Sequence, residues 1–131
     1  MKEKIPSLDE WIAEAKKNPD ASQCGMYLAH NGIVRKTAKA KVRYHAEGTR
    51  EVTGMLFSYD DDLVHNAIAS AKKMPGIYYV KVWLNEGDLK IGDDIMLVLI
   101  GGDIRPHVVD ALQALVSEIK NNCVSEQEIY S

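Results

Sequence analysis

The chain has 131 residues, a formal net charge of −3, and 46% hydrophobic against 27% charged residues. That length and balance predict one core-forming domain over 1–131 and exclude disordered and collagen-like classes. The longest apolar run, Ile95–Ile100, is six residues, far short of the roughly 20 a membrane helix needs. The start, MKEKIPSLDEW, has charges with no apolar stretch behind them, unlike a secretory signal. Cys24 and Cys123 are far apart and match no metal or redox spacing, so reduced thiols and a cytoplasmic setting are expected.

The charge is unevenly spread. Residues 35–50 carry six Lys or Arg (Arg35, Lys36, Lys39, Lys41, Arg43, Arg50) against Glu47 alone. An acidic chain with one basic stretch is no general nucleic-acid binder, but the stretch suits a local anion. It equally reads as a solvated loop.

In chain order, Ser7-Leu8-Asp9-Glu10 has capping-box spacing, and Leu8, Trp11, Ile12 and Ala15 follow at helical intervals until Asn18-Pro19. Cys24–Arg35 reads as a strand weakened by Asn31-Gly32, and 46–50 as a turn. Glu51–Tyr59 is a second strand, with Val52, Gly54 and Leu56 alternating against Thr53, Met55 and Phe57. Asp60-Asp61-Asp62 caps a helix whose Leu63, Val64, Ala67, Ile68 and Ala71 share one side, and Met74-Pro75-Gly76 ends it. Ile77–Leu84 is a strand with Tyr78, Val80 and Val82 as core; 85–88 and 89–93 read as turns, and Asp94–Ile100 as a buried strand. A last helix is expected over 105–120, with Asp103 as its cap, leaving 121–131 as a patternless, variable tail. The order α, β, β, α, β, β, α with short connections indicates an α+β class.

No phosphate loop, zinc-protease motif or nucleophile elbow is present, and His30, His45, His65 and His107 lack metal spacing, so neither metal nor cofactor is expected. Two basic residues carry more information. Arg105 opens a helix, where the dipole disfavours a cation. It follows Gly101-Gly102-Asp103, whose bare backbone admits close approach of a ligand; a local Asp103–Arg105 pair is the competing reading. Lys120 ends the same helix, where electrostatics alone would place a lysine.

Four segments, taken together, match a known pattern: Cys24-Gly25, Gly32-Ile33-Val34-Arg35, Ala71 to Pro75-Gly76-Ile77, and Gly87-Asp88-Leu89-Lys90-Ile91-Gly92-Asp93-Asp94. With Arg105 and Lys120 flanking the last helix, their order and spacing resemble the MoaE family, the large subunit of molybdopterin synthase, over about residues 6–120. The resemblance implies an α/β hammerhead fold with antiparallel or mixed sheet and flanking helices, and a homodimer. The implied partner is a small ubiquitin-like, MoaD-like sulfur carrier whose C-terminal thiocarboxylate supplies sulfur to cyclic pyranopterin monophosphate, forming molybdopterin. By the same resemblance Arg35 and Arg105 hold the pterin phosphate, and Lys120 is the catalytic lysine beside the thiocarboxylate.

The sequence departs from the family at several positions. Ile104 replaces a histidine, Leu84-Asn85 a second His-Arg, Phe57-Ser58-Tyr59-Asp60 a Y-E-x-Y strand, and Gln127 a second lysine. A non-catalytic relative that keeps the fold and dimer as a binding module is therefore the alternative to a working synthase. An unrelated phosphate-binding α+β domain is the third reading.

Overall fold

A computed structural model describes residues 5–37 and 51–130. Most of the basic stretch (38–50), with the expected turn at 46–50, lies outside the described residues. The elements are α1 (Leu8–Ala15), a short 3-10 turn (Pro19–Gln23), β1 (Met26–Ile33), β2 (Val52–Tyr59) and α2 (Asp61–Lys72). β3 (Ile77–Leu84), β4 (Gly87–Lys90), β5 (Asp94–Gly102), α3 (Arg105–Glu118), a π turn (Ile119–Cys123) and β6 (Val124–Tyr130) follow.

The strands form two antiparallel three-stranded sheets, ordered β1-β5-β3 and β4-β2-β6. The expected α+β class holds, with antiparallel pairing throughout both sheets. β5 is central to its sheet and covered on both faces, which is why its sequence reads as an unbroken apolar run. Met96, Val98 and Ile100 face the main core with Val108, Ala111 and Leu115 of α3. Leu97 and Leu99 face Trp11 and Ala15 of α1. Over α1, the Lys81 ammonium lies 5.1 Å from the Trp11 ring and 3.1 Å from Glu14.

The two anticipated caps form: Ser7 Oγ accepts the Glu10 N–H at 3.3 Å, and Asp60 Oδ1 accepts that of Leu63 at 3.1 Å. On α2, Val64, Ala67 and Ala71 are buried, whereas Leu63 stays 43% exposed at the rim of the helical stripe.

Several local expectations are corrected. The first strand is shorter than expected, Met26–Ile33, and its weak point at Asn31-Gly32 shows as a register shift between Gly32 and Ile33. In β2 the alternation changes phase at a register shift between Val52 and Gly54, so Met55 and Phe57 are buried and Leu56 is exposed. Residues 87–90 are a strand rather than a turn, pairing with Phe57–Gly54 around the buried Leu89. The expected patternless tail is β6, paired along the whole of β2. The last helix ends at Glu118, and Lys120 belongs to the π turn.

Among the described residues no helix is long and apolar enough to cross a membrane, and no group of His, Cys, Asp or Glu is gathered to hold a metal ion.

Candidate functional site

Val34 anchors the end of the first strand. It is 2% exposed, donates its N–H to Asp93 O at 2.9 Å and accepts the Gly92 N–H at 2.8 Å. The next residue, Arg35, is therefore held at the rim between the sheets. Its Nε donates to Thr37 O at 3.0 Å, and the rest of its guanidinium fork makes no hydrogen bond or ion pair among the described residues. Lys120 is fixed in a different way. Ile119 and Cys123, 0% and 4% exposed, pin both ends of the π turn to the core, and the wide turn carries Lys120 out between them. Such single-turn π segments often occur at functional sites because they re-aim one side chain without ending the element.

Arg35 and Lys120, from opposite parts of the sequence, line one cavity of about 630 Å³ with Ile33, Met55, Ile95, Glu126, Gln127, Glu128 and Tyr130. Gln127, where the resemblance expects a second lysine, is on its wall. Glu128 accepts the Tyr130 hydroxyl at 2.9 Å. A few hundred cubic ångströms is the usual size of a small-molecule site, and two cations in it suit an anionic ligand.

His30 lies close by on β1, on the same inward face as Met26 and Leu28, with its Nε2 buried and unpartnered. Burial is the main cause holding its pKa below the ordinary value of 6.5, and the Lys120 charge adds to it. Both effects favour the neutral imidazole. His30 lines a separate cavity, with Leu112, Gln113, Val116 and Ser117, and neither it nor Glu126 was legible as a functional candidate. The available signals were a histidine in an apolar slot of the Met26-Leu28-His30 alternation, and acids at alternate positions of a segment ending in Ile129-Tyr130.

Arg105 is not part of this group within one chain. It occupies the first turn of α3, exposed, about 20 Å along the helix axis from Lys120 at 1.5 Å per residue. Asp103 does not pair with it. Asp103 Oδ1 accepts the Ile104 N–H at 2.6 Å and lies 2.8 Å from His107 Nδ1. The His107 hydrogen bond is the leading cause holding the Asp103 carboxyl below its ordinary value. Nor is Asp103 the helix cap: Ile104 takes that position, with no side-chain cap bond, and is 52% exposed. The preceding glycines do not open a path for a ligand either. The space beside Gly101 is filled by the Tyr27 ring, and that beside Gly102 by Gly76 O and Val108. They allow internal close packing, leaving Arg105 on an open surface.

No curated protein matches the sequence. Solved structures share the fold at low identity, three of them as follows. Molybdopterin synthase from Staphylococcus aureus superposes with a TM-score of 0.73 at 17% identity, covering 98% of this chain and 88% of that one. The molybdopterin biosynthesis MoaE protein from Burkholderia ambifaria MC40-6 gives 0.71 at 16%, covering 98% and 82%. A chain from the protein–protein complex of subunits 1 and 2 of molybdopterin-converting factor from Helicobacter pylori 26695 gives 0.64 at 19%, covering 96% and 84%. The fold is thus that of molybdopterin synthase large subunits, as the sequence resemblance implied. The family model for MoaE protein matches residues 2–122, nearly the whole sequence, and the chain belongs to the MoaE family.

Proposed function

We propose that this chain is the large subunit of a molybdopterin synthase, moving sulfur from the thiocarboxylate of a small MoaD-like carrier onto cyclic pyranopterin monophosphate. The observation that carries the reading is the convergence of Arg35 and Lys120 on one cavity in a chain of this family. A guanidinium fork fits phosphate oxygens. An ammonium in a partly enclosed site stabilises the negative charge that develops on the acyl oxygen when water adds to the acyl carbon and the carbon–sulfur bond breaks, leaving the carrier's carboxylate and the sulfur on the pterin. Lys120 is the catalytic residue of this proposal, and Arg35 the phosphate ligand.

Arg105 enters the same scheme only through a second copy of the chain, because its own helix carries it away from the cavity. A homodimer that sets Arg105 of one copy against Arg35 and Lys120 of the other would supply the third cation. The reaction belongs in the cytoplasm, where small-molecule precursors and reduced thiols are held. Ile104 and Gln127 stand where the family resemblance expects an imidazole and an ammonium, but the family match and the synthase neighbours favour the synthase reading over the non-catalytic alternative.

An in vitro transfer assay tests the reading, with the thiocarboxylated carrier, cyclic pyranopterin monophosphate and the wild-type chain, and Lys120→Ala alongside. Wild type should form the dithiolene product, and Lys120→Ala should lose at least about a hundredfold in rate, the usual cost of removing one stabilising donor. The variant should melt within a few degrees of wild type, because Lys120 is exposed and makes no hydrogen bond or ion pair among the described residues. Folded wild-type protein that makes no product with a competent carrier would refute the synthase reading.

A further inference from the structure

Two buried side-chain atoms lack a hydrogen-bond partner among the described residues, His30 Nε2 and Glu126 Oε1. Both flank Lys120, whose charge acts on His30 and which shares a cavity wall with Glu126. Native folds keep few such atoms, because an unpaired buried acceptor gives up its bonds to water and gets nothing back.

The register of β6 puts the acid there. Glu126 stands opposite Phe57 and Glu128 opposite Met55. Directly opposed residues of an antiparallel pair share a face, and Phe57 and Met55 are 2% and 7% exposed. β6 therefore directs two carboxylates inward. Glu128 takes the Tyr130 hydroxyl, while Glu126 Oε1 takes nothing. Inward acids on an edge strand also discourage strand addition, but that role requires neither a cavity nor two cations in it. Arg35 and Lys120 line the same space without forming an ion pair to Glu126 among the described residues. An acceptor left open beside two cations suits a ligand that brings hydrogen-bond donors at one end and negative charge at the other.

We propose that Glu126 is the residue that selects the pterin ring, its carboxylate accepting from the 2-amino group and the adjacent N3–H while Arg35 and Lys120 face the phosphate. The inference rests on the pterin-phosphate reading above and names the specificity group of that same site. A 2-amino-4-oxopyrimidine edge presents two parallel N–H donors, the pattern a carboxylate accepts as a fork from arginine. A carboxylate has no donor of its own to misplace, so it penalises a ring carrying an oxygen at the 2-position. Its negative charge also repels the phosphate from this wall, which fixes the ligand's polarity in the cavity.

The test uses fluorescence titration of the full chain with neopterin monophosphate and with its 2,4-dioxo counterpart, in which an oxygen replaces the amine. Wild type should prefer the pterin by about 10- to 100-fold, the discrimination expected when a mismatched ring leaves a buried polar group unpaired. Glu126→Gln is isosteric and should reduce that preference to within about threefold, mainly by weakening the pterin. Glu126→Asp, a shorter carboxylate, should keep part of it. Absence of preference in wild type, or full preference in Glu126→Gln, overturns the inference while leaving the synthase reading intact. If wild type binds neither compound, nor cyclic pyranopterin monophosphate, the pterin-phosphate reading falls together with the inference.

Discussion

Gly76 joins the end of α2 to β3 with φ +75°, a region where a Cβ costs about 1–2 kcal/mol. An alanine methyl there would also collide with Asp103 Oδ1 and His107 Nδ1, the bonded pair at the start of α3. Forcing a side chain into filled space adds about 1–3 kcal/mol, so Gly76→Ala should cost about 2–5 kcal/mol. Gly87 provides the control. Its φ is +95°, but nothing lies within 4 Å of an added Cβ, so Gly87→Ala carries only the conformational cost of about 1–2 kcal/mol. At about 3–5 °C per kcal/mol for a domain of this size, the melting temperature should fall by about 6–25 °C for Gly76→Ala and about 3–10 °C for Gly87→Ala. Thermal unfolding followed by circular dichroism at one pH measures both. Asp103→Ala in the Gly76→Ala background should cost less than it does alone, because the collision is partly relieved. Equal losses for the two glycines would refute the close seating of Asp103 and His107 over Gly76.

His30 predicts an acid-side loss of stability. Its folded pKa is lowered, so the neutral form belongs to the fold and the unfolded chain takes up the proton first. The contribution is complete above the ordinary imidazole value of 6.5 and is lost as pH falls below it towards the depressed folded value. A melting-temperature profile should show this step and His30→Phe should flatten it; identical acid slopes in the two proteins would rule it out. Arg105 predicts complementation between copies. Arg105→Ala and Lys120→Ala should each be inactive alone, while a refolded equimolar mixture regains about a quarter of wild-type sulfur transfer, since half the dimers then hold one intact site of two. No recovery from a mixture shown to contain mixed dimers would remove Arg105 from a shared site.

Patterns confined to a few neighbouring residues could be read from the sequence alone. Ser7 and Asp60 cap as their spacing requires, and the apolar run of β5 identifies a strand covered on both sides. What failed depended on partners distant in sequence. Gly87–Lys90 holds enough turn residues to pass for a loop, and pairing with β2 makes it a strand. β6 mixes Ser, Gln and Glu with two apolar residues at its end, and only the β2 face it covers gives its acids a direction. In β2 a single register shift reverses which side chains are buried, and composition carries no mark of it. Of the candidate residues, Arg35 and Lys120 line one cavity, whereas the helix axis that separates Arg105 from Lys120 is a three-dimensional fact. Asp103 went to His107, four residues on and facing the same side of the helix, rather than to Arg105, two residues on.

The walls of the cavity come from both halves of the chain: Ile33 and Arg35 beside β1, Met55 on β2, Lys120 on the π turn, and Glu126 on β6. β1 finds its partner only when β5 arrives, Met26 pairing with Gly102, and β2 completes its sheet only with β6. Closing such long loops precedes any reward from the contacts they bring, which slows folding. During synthesis, then, the cavity lined by Arg35 and Lys120 cannot close until β6 has been made. A chain that has laid down Arg35 and Lys120 but not β6 has the charges without the wall that encloses them, so any binding that needs the cavity waits until β6 pairs with β2.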